Sequence, residues 1–512
     1  MMRGEFRKTI QSAIILLLLL WVRPVHSQNS STINIGFKRE LFVDNHIIEK
    51  LDNTRLKLHH PKEAGPMFIM EKPWEGGYSG YSSVFKDGDI YRMYYRARPV
   101  DSSTSYTCYA QSRDGINWHR PNLKIVEFAG SKDNNIIMEH SPVSPNFSFF
   151  LDTRHGASES ERYKAIGRHR VVPGKRLLGL FAYSSSDGIH WKKMQQEAVI
   201  NYPKFAFDSH NVAFYSEKEK CYVCYFRTWH NHKDSEGQPW PNGVRWISRC
   251  TSQDFLHWSD SVKMDCGNTP FEHLYTNATT PYFRAPHIYI ALPSRFIDHD
   301  DAVSQEAKKS LGLLSKIYLE KGRGFNDMPL MTSRGGNKYD RTFMTTFILP
   351  GVGLKNWTTR ANYPAFGIVP TPDSNTEMSI YVNKHTGYPS VHLQRYTLRY
   401  DGFISVRADD HQGWIVTKPL LFSEQAQKPV QLVINYTTSA IGNIYCEIQD
   451  IDGRAIEGFS LAQCDRLLGD EIERVVSWKG SSDLKAIAGR PVRLRFKMKD
   501  ADLYSVMFRR TD

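Results

Sequence analysis

The chain has 512 residues, 12% aromatic and 23% charged, with a formal net charge of +12. That length buries a large core and fits two domains. Seven cysteines, odd in number and sparse, exclude a disulfide scaffold, and basic residues scattered without a stripe or nucleic-acid motif exclude a DNA or RNA binder.

The N-terminus reads as a targeting signal over residues 1–27. Arg3, Arg7 and Lys8 precede the apolar run AIILLLLLWV, and VHS before Gln28 offers a cleavage point. The run is shorter than the roughly 20 residues a membrane span needs, so the expectation is export with cleavage, secreted or periplasmic, and no membrane span in the mature chain. Cleavage lowers the net charge to about +9, which still favours an acidic partner.

From residue 36 to 401, short aromatic and β-branched segments alternate with turn residues: DIYRMYYRAR, RYKAIGRHR, KCYVCYFRTW, HIYIALPSRF. Each reads as a strand. One phrase recurs among them. QSRDGINW ends at Trp118, SSSDGIHW at Trp191 and TSQDFLHW at Trp258, and a worn copy, TSRGGNKYDR, begins at Thr332. Its serines, 112, 185, 252 and 333, fall 73, 67 and 81 residues apart, room for four strands with long loops. An Asp–Gly turn with Ser and Asp oxygens on local amides closes a hairpin, and the Trp packs between sheets. One such turn per radial sheet predicts a β-propeller, with the phrase as structural punctuation. Four phrases, plus YPAFGIVPTP, EMSIYVNKH and HLQRYTLRYDGF, make five blades, with KRELFVDNHIIE expected to close the ring. DAVSQEAKKSLGLLSKIYLEKG reads as an inserted helix carrying Leu311, Leu314 and Tyr318 on one face and capped by DHDD.

After residue 402 the phrase disappears, and alternating strands with an Asp452–Gly453 turn predict a β-sandwich over 402–512. The fold class is therefore all-β. Cys221 and Cys224 mimic a metal pair, but on a strand residues three apart face opposite ways and read as core thiols. Cys250–Cys266 and Cys446–Cys464 are candidate bridges, and sequons stand at Asn29, Asn146, Asn277, Asn356 and Asn435.

A signal peptide, a five-bladed propeller with S-x-D-G-x-x-W turns and a C-terminal β-sandwich together resemble glycoside hydrolase families 32, 43 and 68. The layout is most similar to family 32, although its W-M-N-D-P-N-G, R-D-P and E-C boxes are absent, so its fructan substrate does not transfer. The resemblance implies a glycosidase acting on an oligo- or polysaccharide at the mouth of the central channel, with carboxylates carried by successive inner strands.

Such hydrolysis needs two carboxyl groups. Asp208 stands between the apolar FAF and the strand NVAFY. Glu272, beside Phe271, His273 and Tyr275, sits in the apolar setting that suits a general acid. Glu75, beside Trp74, Tyr78 and Tyr81, is the third choice, with Asp44, Asp152 and Asp327 competing. The spacing 75, 208, 272 is similar in proportion to the base, pKa modulator and acid of family 43. Arg227, Arg295, Arg341 and Arg360 flank strand ends, where pairing with backbone and carboxylates between blades is the first reading; if two or more face the channel they bind a carboxylate or sulfate. Trp74, Tyr78 and Trp229 are candidate sugar platforms. His230, His232 and Asp234 are spaced like ligands but read as a polar loop, so no metal or cofactor is expected; DHDD at 298–301 could hold a structural calcium, though a helix cap explains it more simply. Two alternatives stay open: a non-catalytic carbohydrate-binding propeller, and a sialidase-like hydrolase with three arginines over one carboxylate.

Overall fold

The repeated phrase builds the same turn in three of its four copies; in the worn copy Ser333 Oγ accepts the Gly335 amide, and the Gly336 amide turns to Glu219. Ser112 Oγ accepts the amides of Asp114 and Gly115, while Asp114 Oδ1 accepts those of Ile116 and Asn117 at 2.8 and 2.7 Å. Ser185 with Asp187, and Ser252 with Asp254, repeat the pattern. The turn needs a left-handed residue after the Asp, supplied by Gly115 (φ 66°) and Gly188 (φ 78°). In the third copy Phe255 takes that conformation (φ 70°), held by its burial against Phe150, Tyr222 and Trp258. A tyrosine from a neighbouring sheet then seals two of the turns: Tyr381 donates to Gly115 O at 2.7 Å and Tyr94 to Gly188 O at 2.8 Å.

The computed structural model describes residues 32–511 except 101, 103, 141–144, 172–177, 231–242, 299–300, 315–318, 320–323, 359–360, 373–374 and 424–427. The expected signal (1–27), Asn29, His232, Asp234, Tyr318 and Arg360 lie outside the described residues, as do two positions of the DHDD run.

The sheets follow one another as four-stranded antiparallel units, each running from an inner to an outer strand. The first comprises Gly80–Asp87, Ile90–Ala97, Ser105–Ser112 and Ile136–His140. The second starts at Ser148–Leu151 and continues through Tyr163–Arg170 and Leu178–Ser185 to the short outer strands Lys192–Lys193 and Ile200–Asn201. The third comprises Val212–Ser216, Cys221–His230, Val244–Ser252 and Val262–Lys263. In the fourth each long strand is interrupted: His273–Leu274 and Thr280–Tyr282 form the inner one, Ala285–Ala291 and Arg295–Ile297 the next, then Phe325–Pro329 and Met331–Ser333, with Thr346–Ile348 outside. The fifth is Tyr363–Pro370, Glu377–Lys384, His392–Arg399 and, from the other end of the chain, Lys62–Ile69. The inner strands of the fifth and first units touch in parallel at Phe366 and Ser83. Phe85, Phe150, Phe214, Tyr282 and Phe366, one from each inner strand, line a single cavity of about 340 Å³ at the strands' far ends. The protein is a β-propeller, and these units are numbered below as its blades.

Ring closure differs from expectation. Residues 62–69 supply the outer strand of blade 5, whereas KRELFVDNHIIE goes to the other domain. Glu40–Leu41, Ile48–Asp52 and Thr54–Leu58 pair with the C-terminal strands, so the sandwich sheet takes residues from both ends of the chain. Alternation marks both segments as strands, but nothing local says which sheet each one extends. The strands Val430–Gln449 and Arg493–Arg510 pair along most of their length across a bulge between Thr438 and Asn443, around a core that includes Phe42, Ile434, Cys446, Trp478 and Phe496.

The inserted helix is short among the described residues, Gln305–Ser310, and its N-cap is Ser304 rather than the acidic run. Asp301 instead accepts from Lys308 Nζ at 2.9 Å and from the amide of Gly324. All seven cysteines are buried free thiols, so neither candidate bridge forms. Cys224 faces Cys250 across a strand pair, and the Cys446 amide donates to Cys464 Sγ at 3.2 Å. The sequons at Asn146, Asn277, Asn356 and Asn435 are buried, and Asn435 Nδ2 is bound to Tyr400 O and Asp401, so the folded chain offers none of the four to a glycan.

Candidate functional site

Four inner strands are entered through a non-glycine residue in the left-handed region: Tyr81 (φ 52°), Asn146 (φ 47°), Phe207 (φ 65°) and Ala278 (φ 43°). Such a conformation costs about 1–3 kcal/mol at each position and concentrates where a site demands it. All four lie at one end of the channel, opposite the apolar cavity.

The bend at Phe207 presents Asp208. Phe207 N donates to Arg227 O, and Phe207 O accepts from the Ser209 amide at 2.7 Å and from Asn211 Nδ2 at 2.9 Å. Ser209 Oγ donates to Tyr275 O in blade 4 and His210 Nε2 meets Phe147 O in blade 2, so the bend is fixed to both neighbours. Burial pushes the His210 imidazole down to about 4, leaving it neutral as a structural partner. Asp208, 28% exposed, is then held by Arg168 Nη1 and, at 3.2 Å, by Arg227 Nη2.

Around it lies a ring of aromatic faces and guanidiniums. Arg96 stands 4.5 Å over the Tyr81 ring, and Arg227 and Arg245 stand 4.9 and 5.5 Å over Tyr275. Both also stand over Trp229. Tyr81 and Tyr275 each touch Tyr363, with ring centroids 5.3 and 5.8 Å apart. Burial, reinforced by Tyr275, raises the Tyr81 phenol well above its usual range, so it stays protonated. A second carboxylate, Asp298, 43% exposed, lies beyond Arg245 at 3.8 Å and beside His273 Nε2 at 3.5 Å.

Three of the residues chosen from sequence, Asp208, Arg227 and Trp229, meet here. Glu272, Arg295 and Arg341 meet in a separate cluster of blade 4, where Arg295 on the second strand lies between Leu274 of the inner strand and Asp327 of the third. Arg295 grips Asp327 at 2.8 and 2.6 Å and Glu272 at 3.0 Å, and Arg341 Nη2 takes the other oxygen of Glu272. Glu75 lies between blades 1 and 5 with its side chain fully buried, bound to Arg120 Nε at 3.0 Å and Tyr95 OH at 2.5 Å. Trp74 joins that cluster through Asn135, and Tyr78 contributes its carbonyl to Arg96 while its ring lies under Arg98. Among the competitors, Asp44 is clasped by Arg334, Asp152 by Lys164 and Tyr222, and Asp327 by Arg295. Sequence reading missed Arg96, Arg168, Arg245, Tyr81 as a channel residue, and Asp298 beyond the acidic run. Their shared signal is position near one end of a blade strand, inner, second or, for Arg245, third, which becomes visible once blade boundaries are known. Among the described residues no three His, Cys, Asp or Glu side chains gather as a metal ligand set.

No family model and no curated protein matches the chain. Among solved structures it is similar to an N-acetylgalactosamine deacetylase from F. plautii in complex with blood group B trisaccharide, at 11% identity and a TM-score of 0.44, over 68% of this chain and 96% of that one. A thermostable family-43 glycoside hydrolase aligns at 12% identity and a TM-score of 0.40, over 65% and 94%. A fructofuranosidase from Schwanniomyces occidentalis complexed with fructosylnystose aligns at 9% and 0.39, over 88% and 98%.

Proposed function

We propose that the protein is an exported glycoside hydrolase that works on an acidic glycan at the strained end of the channel. The observation that carries this reading is the arrangement of two partly exposed carboxylates, Asp208 and Asp298, on either side of the Arg227–Tyr275–Arg245 stack. Two carboxyl groups are what glycosidic cleavage requires: one protonates the leaving oxygen while the other serves as base or nucleophile. Asp208, positioned by two guanidiniums, suits the second role. Trp229 and Tyr275 supply apolar faces for a sugar ring. Glu272, braced by Arg295 and Arg341, holds blade 4 together in this reading, and Glu75 joins blades 1 and 5.

The test is hydrolysis of a panel of neutral and acidic oligosaccharides by the mature protein and by Asp208→Asn, Asp298→Asn and Glu272→Gln. The first two variants should stay folded and lose at least about a hundredfold in turnover, the scale of one acid–base group; Glu272→Gln should keep turnover in its folded fraction. Loss of turnover in folded Glu272→Gln alone would move the site to blade 4. The second reading, a carbohydrate-binding propeller, is favoured by the ion pairing of Asp208 on both oxygens, which suits a structural carboxylate. It predicts glycan binding without any product, unaltered by the three substitutions.

A further inference from the structure

Charges in a protein interior are matched by partners or by a bound ion, because a desolvated charge without either is unfavourable. The channel entrance departs from this balance. Arg96, on the second strand of blade 1, donates from Nε and Nη2 to Tyr78 O at 3.0 and 2.6 Å and from Nη1 to Asn146 Oδ1 at 3.0 Å, and no carboxylate is among its hydrogen-bond partners in the described residues. Its burial, with Arg98 and Arg168 alongside, lowers its basicity. Arg227 is 3% exposed and places Nη2 on Asp208, while its Nε has no hydrogen-bond partner among the described residues. Arg168 takes the other Asp208 oxygen. Asp208 is thus shared by Arg168 and Arg227, and the hydrogen bonds of Arg96 among the described residues go to neutral acceptors. The guanidiniums are held before any ligand arrives, by the Tyr78 carbonyl, the Asn146 amide and the Tyr81 and Tyr275 rings beneath them.

We infer that Arg96, Arg168 and Arg227 form a receptor for one oxyanion carried by the sugar, a carboxylate or a sulfate ester. This rests on the reading of the Asp208 end as the glycan site and adds to it the group that is recognised and the residues that recognise it. Both groups offer oxygens that accept paired guanidinium hydrogen bonds, and +9 on the mature chain draws such a ligand in. The receptor sets specificity: a neutral sugar of the same shape leaves buried donors without acceptors.

The test is calorimetric binding to the intact mature protein of three probes of similar size: a hyaluronan disaccharide bearing a uronate, a carrageenan disaccharide bearing one sulfate, and lactose. At least one acidic probe should bind about tenfold or more tightly than lactose, the preference narrowing as salt rises. Arg168→Gln, at a partly exposed side chain, should weaken the acidic probes more than lactose and so narrow that preference, and Arg168→Lys should restore part of it. The uronate and sulfate arms show which oxyanion is read, and either preference supports the receptor. Equal binding of all three probes, or a uniform loss across them in Arg168→Gln, overturns the receptor while leaving a sugar site in place. If no probe binds and no panel member is cut, the glycan reading falls with it.

Discussion

Replacing Glu75 separates a structural carboxylate from a catalytic one. Its side chain is fully buried and accepts four hydrogen bonds: Tyr95 OH at 2.5 Å, Arg120 Nε and Nη2 at 3.0 and 3.1 Å, and the Lys72 amide at 3.0 Å. Arg120 also stands 3.7 Å over the Phe68 ring, on the strand that closes the propeller, so the pair fastens blade 1 to blade 5. Truncation leaves a guanidinium that is 17% exposed without its counter-charge. Breaking a buried pair from one side costs about 3–5 kcal/mol, a large share of a typical stability of roughly 5–15 kcal/mol. Glu75→Ala should lose that amount, and Glu75→Gln, which keeps the shape and one acceptor, about 1–3 kcal/mol. Guanidinium denaturation followed by tryptophan fluorescence measures the loss, and turnover is read per folded molecule. A Glu75→Gln, Arg120→Met double variant should recover part of the stability, since the stranded charge is gone. A Glu75→Gln protein with an unshifted denaturation midpoint and no turnover would refute the argument and place Glu75 at the reacting centre.

The Ser–Asp turns make stability depend on acid. Burial raises the Asp114 carboxyl, but the amides of Asn117 and Ile116, the Asn117 side chain and the Ser112 hydroxyl outweigh it and hold the group at about 2. Asp187 and Asp254 are likewise lowered, with burial again opposed by their own histidines, His190 and His257, and local amides. Groups depressed on folding contribute stability above their unfolded value near 3.9 and lose it as pH falls below that toward 2. A denaturation series from pH 6 to 2.5 should show this loss, flattened in the Asp114→Asn, Asp187→Asn, Asp254→Asn variant. Asp401 is fully buried between the domains, contacting Arg39, Arg284, Tyr282, Asn435 and Ser505. Asp401→Ala should therefore cost about 3–5 kcal/mol, with faster protease cleavage between propeller and sandwich as the readout; a stability change below 1 kcal/mol would contradict the burial of this cluster. The seven thiols should resist a disulfide-exchange reagent in the native protein and react together in denaturant, seven per chain.

Residues close in the sequence determined much of this molecule. Each Ser-x-Asp-Gly-x-x-Trp phrase carries within eight residues the Ser and Asp oxygens that bind its own turn amides, so its count and spacing foretold the repeating sheets. Alternation foretold most strands, and the apolar FAF before Asp208 ends at the left-handed Phe207 that turns the chain there. What depends on partners far along the chain stayed hidden. Glu75, Glu272 and Asp208 are each a carboxylate among aromatic residues, and only the arginines that meet them distinguish a blade-to-blade pair from a channel residue: Arg120 is 45 positions from Glu75, and Arg341 is 69 from Glu272. Arg96, Arg168, Arg227 and Asp298 come from three blades and a strand end, and their convergence follows from the radial packing of the sheets. Ring closure was hidden for the same reason. Residues 40–58 and 62–69 both alternate as strands, and the choice of sheet rests on pairing with strands more than 300 residues later, a decision that the whole fold makes by which apolar face is buried.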